Sequence, residues 1–153
     1  MNFDTMNKQR KFILIAAAVG FISMFLPWVS VSMMGFGNSI NGLHGSGLLV
    51  LFAFIGAGAV AFMGDQTKSL EKTMWFIALA CGAIAALIIA INLIQILTQG
   101  YVSAGFGIWL AVAAAAGILY FAWMYKSPGD DIKSGFDSLK KNIGDKTNQP
   151  PKP

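Results

Sequence analysis

The chain has 153 residues and a formal net charge of +4, with 56% hydrophobic and only 12% charged residues. Soluble proteins carry roughly 25% charged residues, so the composition argues against an ordinary soluble domain. Two blocks, 12–64 and 73–125, contain no Asp, Glu, Lys or Arg. Because a membrane span takes roughly 20 helical residues, each block accommodates two spans. We therefore predict an all-α integral membrane protein, with a four-helix bundle formed by residues 1–126.

The first predicted span covers about 11–31, and Lys8, Arg10 and Lys11 stand at its start. Basic residues before an apolar run are also typical of a secretory signal. This run, however, lacks a small-x-small cleavage site and is longer than the roughly 7–15 residues of such signals. We therefore expect it to be retained as a span. The other three predicted spans are about 47–63, 73–97 and 105–125.

The orientation of the spans follows from the basic residues. They precede the first span, lie in the loop between the second and third spans (Lys68 and Lys72), and follow the fourth (Lys126). The loops 32–46 and 98–104 contain no Lys or Arg. Since positive residues stay on the cytoplasmic side, we predict a multi-pass inner-membrane protein with both termini in the cytoplasm.

The first outer loop is rich in glycine and contains His44, the only histidine. A metal site would need further ligands, and a catalytic triad would need a carboxylate. Neither outer loop supplies them. We therefore interpret His44 as a structural residue and the glycines as turn formers.

Three polar residues, Asn92, Gln95 and Gln99, lie at the outer end of the third span. Their spacing of three and four residues places them on one helical face. They either line a shallow outward-facing crevice or mark a hydrated helix end. Together with His44 they form the candidate outer polar face.

Small residues at four-residue spacing indicate where membrane helices pack closely. The candidate packing residues are Gly20, Ala53, Ala57, Ala78, Gly82, Ala86, Ala113 and Gly117. We expect them to pack within the monomer. A spare face on the third or fourth span could instead dock a partner or a second copy.

After Lys126 the composition changes, and we predict an amphipathic helix over 127–145 with Ser127 as its cap. Its apolar stripe comprises Ile132, Phe136, Leu139 and Ile143, with Lys140 at one edge. Such a helix suits the inner membrane surface, where lysines meet anionic lipid. Docking onto a cytoplasmic partner is the alternative. We expect 146–153 to be disordered.

The segment Leu26-Pro27-Trp28, followed by a Gly-rich outer loop, resembles a pattern in small bacterial four-helix inner-membrane proteins. Most of those proteins have no assigned activity, so the resemblance implies a fold and little else. The layout is also similar to claudin-like tetraspans in topology. It lacks their paired outer-loop cysteines and their Gly-Leu-Trp motif, so no function is carried over.

The spans contain no ionisable side chain except Cys81 and tyrosines, which argues against a pump or an ion-coupled carrier. We expect no catalytic residue, cofactor or metal, and the basic inner segments need no nucleic acid to explain them. The favoured function is a non-enzymatic accessory or scaffold subunit that contacts lipid and either another membrane protein or itself. A small channel or facilitator is the alternative, and a lipid-acting enzyme is a remote one.

Overall fold

The structure is a computed structural model that describes residues 3–129 and 131–147. Its elements in chain order are α1 (Lys8–Ser23), β1 (Pro27–Met33), β2 (Phe36–Asn41), α2 (Gly47–Phe62), α3 (Lys72–Thr98), β3 (Val102–Ala104), α4 (Phe106–Met124) and α5 (Ile132–Thr147). The fold is therefore mostly helical, as predicted, but it is not all-α. The expectation of a disordered tail falls largely on residues 148–153, which lie outside the described part of the chain.

The expected first span to residue 31 is wrong at its C-terminal end, because α1 ends at Ser23 and residues 27–33 form a strand. Pro27 explains the break, since proline cannot donate a helical hydrogen bond and disfavours helical backbone in the residue before it. Beyond it, Val29 and Val31 alternate with serines. This period of two favours a strand with one buried face.

The three strands form one antiparallel sheet in the order β2-β1-β3. β1 and β2 are joined by a turn at Met34 and Gly35, both with positive φ (48° and 83°). That geometry is typical of a two-residue hairpin turn. On its other edge β1 pairs with β3, with Val31 opposite Val102. The sheet therefore joins the loop that precedes α2 to the loop that precedes α4.

The helices α1 to α4 form a closed bundle in which α1 packs against α2 and α4, and α3 packs against the same two helices. Large buried side chains fill the interior, among them Phe54 and Ile118. Glycines let the helices approach closely. A Cβ at Gly20 would lie 2.5 Å from the Phe54 ring, and one at Gly82 would lie 2.9 Å from Ile118.

The structure places most of the small residues singled out from the sequence between helices. Five are buried, namely Gly20, Ala53, Ala57, Ala78 and Gly82, and two are half-buried, namely Ala86 and Gly117. Ala113 is exposed on α4, so its expected packing role within the monomer is wrong. Helical geometry explains the difference, because the neighbouring Ala111 and Ala114 face the interior instead.

Two helices, α3 with 27 residues and α4 with 19, are long and apolar enough to cross a membrane. The helices α1 and α2 have 16 residues each. At 1.5 Å per residue, a helix of that length rises about 24 Å.

Helix α5 packs against the first turns of α3. Gly135 lies so close to Phe76 that a Cβ on the glycine would be 2.9 Å from the ring. The Asn142 side-chain nitrogen donates to the Thr73 hydroxyl at 3.1 Å. In the predicted membrane-surface stripe, Ile132, Phe136 and Ile143 are exposed, as is the neighbouring Lys140, whereas Leu139 is half-buried.

The observed bounds of α5 correct two details of the prediction. The helix does not begin at Ser127, because Gly129 has a φ of +89° and interrupts helical backbone. Asp131 directly precedes the helix instead, and its carboxylate accepts from the backbone N–H of Ile132 at 2.8 Å. The helix also continues through Lys146 to Thr147, so these residues are not part of a disordered tail.

Candidate functional site

Hydrogen bonds define two chemically different ends of the bundle. At one end, the backbone N–H of Asn7 donates to the Gln66 carbonyl at 2.8 Å, and the hydroxyls of Ser69 and Ser127 lie 2.8 Å apart. We call this the charged end, because the charged residues flank these segments. The opposite end carries the three strands, and we call it the sheet end.

A cavity of about 290 Å³ opens at the sheet end, between the sheet and the last turns of α3. All four residues of the candidate outer polar face line it, namely His44, Asn92, Gln95 and Gln99. Asn41, at the end of β2, adds a fifth polar group to its wall. We call this space the sheet-end cavity.

Asn92 connects the cavity wall to the loop before α2. Its side-chain nitrogen donates to the Ile88 carbonyl at 2.8 Å and to the Ser46 hydroxyl at 2.9 Å. His44 is held in a similar way, with Nδ1 at 2.8 Å from the Asn41 side-chain oxygen. Both residues therefore have a structural partner that fixes them at the cavity.

Gln95 and Gln99 differ from these residues, because both side chains are exposed. Each amide offers two N–H donors and one acceptor oxygen. The cavity wall carries amides and one imidazole, and it includes no Asp, Glu, Lys or Arg. This set can hydrogen-bond a neutral polar group, and it includes no carboxylate.

The part of the chain that the structure describes also shows no candidate metal site. Among residues 3–129 and 131–147, no three His, Cys, Asp or Glu side chains come together in a group that could hold a metal ion.

Trp28 contributes to the floor of the sheet-end cavity and closes it towards the helices. The residue is buried, and its indole N–H donates to the Ser23 carbonyl at 2.9 Å. Gly107 lies against the ring, where a Cβ would be 2.8 Å from Cδ1. The Trp of the Leu-Pro-Trp segment is thus a buried anchor between the sheet and the bundle.

A polar network at the charged end was missed by the sequence analysis. Arg10 is only 2% exposed, and its guanidinium donates to the backbone carbonyls of Lys68 (2.8 Å), Ala61 (3.3 Å) and Met63. Three carbonyls from one chain segment therefore converge on one side chain. The sequence does contain a hint of this role, because Arg10 is the single arginine in a chain with ten lysines. Only arginine presents five donors in a fixed planar fork.

Gln9 extends this network to the other side of α1. Its side-chain nitrogen donates to the Ala122 carbonyl at 3.2 Å, and its oxygen accepts from the backbone N–H of Leu70 at 3.0 Å. The indole N–H of Trp75 donates to the same Ala122 carbonyl at 2.7 Å. Gln9 and Arg10 together fasten the loop between α2 and α3 to α1 and α4.

Asp65 lies on the surface of that loop. The hydroxyl and backbone N–H of Thr67 donate to its carboxylate at 2.6 and 3.0 Å, and they hold the pKa of Asp65 below its ordinary value. Lys68 lies 3.7 Å away and acts in the same direction. Asp65, Lys68 and the buried Arg10 line one surface pocket at the charged end.

Comparisons with protein-family models, with curated proteins and with solved structures found no match for this chain. Function is therefore argued from the residues and their arrangement alone.

Proposed function

We propose that this chain is a four-span inner-membrane protein with both termini in the cytoplasm, which acts as a non-enzymatic accessory or scaffold subunit. The observation that carries the proposal is the outward face of α3. Its large apolar side chains point away from the bundle, with Leu87 65%, Ile94 62% and Leu97 66% exposed. Soluble monomers rarely expose contiguous apolar patches of more than a few hundred Å². Lipid is the environment that suits this surface.

The packing of the bundle extends this argument to the shorter helices. If α3 and α4 cross the bilayer, α1 and α2 cross with them, because each packs between neighbours in the same closed bundle. Their length of about 24 Å is somewhat less than the hydrocarbon thickness of about 30 Å. Local thinning and flanking residues accommodate such a difference at modest cost.

The two ends of the bundle agree with the proposed orientation. The basic residues in the first turn of α1, at the start of α3 and after α4 lie at the charged end, which suits the cytoplasmic side. The sheet end then faces outwards. Its strands pair with each other, and its cavity is uncharged.

The scaffold role is supported by one face of α4, which we call the α4 stripe. It comprises Trp109, Ala113, Ala116 and Tyr120, all of them exposed. These positions follow a spacing of four, three and four residues, so they lie on one side of the helix. Small residues between two aromatic ones leave room for another helix to approach closely. A second membrane helix, from a partner or from another copy, fits this stripe.

Co-purification in mild detergent tests the scaffold role. We expect the wild-type chain to elute with a partner or as an oligomer, and the double variant Ala113→Leu and Ala116→Leu to elute alone. The matched control is Ala83→Leu with Ala90→Leu, a pair of exposed alanines on α3. A strictly monomeric wild type, or a complex that survives the α4 substitutions, would contradict the proposal.

Cysteine labelling tests the orientation separately. In a Cys81→Ala background, a membrane-impermeant maleimide should react in intact cells with Ser39→Cys on β2. It should not react with Ser138→Cys on α5 until the cells are opened. Labelling of the α5 position from outside would overturn the proposed topology.

A facilitator is the second candidate, because the sheet-end cavity provides an uncharged polar entrance. Below it, however, the interior is filled by Phe54, Ile89 and Ile108, each at most 1% exposed. The facilitator hypothesis requires solute flux in proteoliposomes that Asn92→Leu reduces, and flux no greater than in empty vesicles would remove it.

A lipid-acting enzyme would depend on Asp65 and Glu71, so their replacement by alanine without loss of function would dismiss it.

A further inference from the structure

An apolar groove of about 610 Å³ lies between α3 and α4 near the charged end, beside the first turn of α5. We call it the α5 groove. It is lined by Leu79, Leu119, Tyr120, Trp123, Met124 and Ile132. The two helices that form its walls are the two that are long and apolar enough to cross a membrane.

The position of α5 gives the groove its third side. Close packing of Gly135 against Phe76 holds the helix on α3, with the Phe136 ring 6.4 Å from the Phe76 ring. Ile132 thereby reaches the space between α3 and α4. Without α5, the same surface would be an open seam between two helices.

A lysine lies at one end of the groove. The Lys126 amino group lies 4.0 Å from the centroid of the Trp123 ring, a lining residue, in a cation–π contact. Lys133 directly follows Ile132 in the sequence. Asp131 directly precedes Ile132, and its carboxylate accepts from the backbone N–H of that residue at 2.8 Å. In the proposed orientation, Lys126 is therefore placed at the level where a phospholipid carries its phosphate, and Lys133 is the next lysine along the chain.

We infer that the α5 groove binds one anionic phospholipid of the inner leaflet. An acyl chain lies along Leu79, Leu119 and Ile132, and the phosphate is bound by Lys126 and Lys133. Tyr120 and Trp123 lie between the two regions, where aromatic rings favour the boundary between hydrocarbon and headgroups. The inference rests on the proposed membrane location, and it names the lipid class that this face recognises.

Native mass spectrometry of the full chain tests the inference, with phosphatidylglycerol and phosphatidylcholine of equal chain length as probes. We expect the wild type to retain phosphatidylglycerol at least about fivefold more strongly, since each lysine near the surface adds about that factor for anionic lipid. The double variant Lys126→Gln and Lys133→Gln should lose this preference. The matched control, Lys140→Gln with Lys141→Gln, removes the same charge further along α5 and should keep it.

The apolar part of the groove is tested by Ile132→Ser, with Ile143→Ser as its control. Both isoleucines are exposed on the same stripe, but only Ile132 lines the groove. Ile132→Ser should lower retention of both lipids, and Ile143→Ser should not. If a lysine variant and its lysine control lost the lipid preference equally, the effect would be one of total charge, and the inference would be overturned. Equal loss of lipid retention in Ile132→Ser and Ile143→Ser would overturn it as well, because the effect would be one of general hydrophobicity.

Membrane location is measured independently by an alkaline carbonate wash. A chain washed off the membrane would overturn the proposed function together with the lipid site. A chain that stays embedded but retains both lipids equally would overturn the lipid site alone.

Discussion

Gly42 lies directly against the indole ring of Trp28, so that a Cβ at position 42 would be 2.5 Å from both Cε2 and Nε1. Gly107, at the start of α4, lies against the same ring. The indole is therefore enclosed by both connections at the sheet end. Together with the pairing of β1 and β3, this contact joins the loops that precede α2 and α4.

Gly42→Ala should lower the free energy of unfolding by about 1–3 kcal/mol, because the added methyl group has no space beside the ring. Thermal unfolding in detergent, followed by tryptophan fluorescence, measures the change. Gly37→Ala is the control, since no atom lies within 4 Å of a Cβ at that position. Equal melting temperatures for the two variants would contradict the close contact with Trp28.

Arg10→Gln should lower stability by about 3–5 kcal/mol, because it leaves buried carbonyls without their charged donor. Lys11→Gln removes the same charge next in the chain, and its side chain is less buried. It should cost less than about 1 kcal/mol. Denaturant unfolding of both variants in one detergent gives the comparison. Equal losses would mean that only the number of positive charges matters, and that the carbonyl network does not.

Gly135→Leu should detach α5 from α3, since even a Cβ would meet the Phe76 ring at 2.9 Å. Released from α3, the helix should be cut faster by trypsin at Lys133, Lys140 and Lys141. Gly144→Leu is the matched control on the same helix, where a Cβ meets no atom within 4 Å. Cleavage at the wild-type rate in Gly135→Leu would show that this contact does not hold the helix.

The helical content could be predicted because long charge-free blocks leave few alternatives in lipid. The sheet could not, because Val29 and Val31 count as apolar residues in a helix or a strand alike. Only the alternation with Ser30 and Ser32 distinguishes the two, and it spans four residues. Pro27 was the stronger signal for the end of α1.

The sheet-end cavity was partly foreseeable from the sequence. Helical spacing predicts that Asn92, Gln95 and Gln99 share a face, and these three residues line one wall. His44 reaches the same cavity through a glycine-rich loop whose course no local pattern predicts. In the sequence Arg10 is one basic flank among several, because burial of its charged side chain depends on carbonyls some 50 residues away.

The side-chain amide of Asn92 and the hydroxyl of Ser46 both donate to and accept from each other, at 2.9 and 3.1 Å, which predicts a measurable coupling across the sheet-end cavity. In a double-mutant cycle, Asn92→Leu and Ser46→Ala should be non-additive by about 0.5–1.5 kcal/mol, because either change alone removes both shared bonds. Asn92→Leu with Ser69→Ala is the control cycle, since Ser69 lies at the charged end and bonds to Ser127 instead. That pair should be additive within about 0.5 kcal/mol. If the first cycle is also additive, the loop before α2 is not held by Asn92, and the polar wall of the cavity depends on the sheet alone.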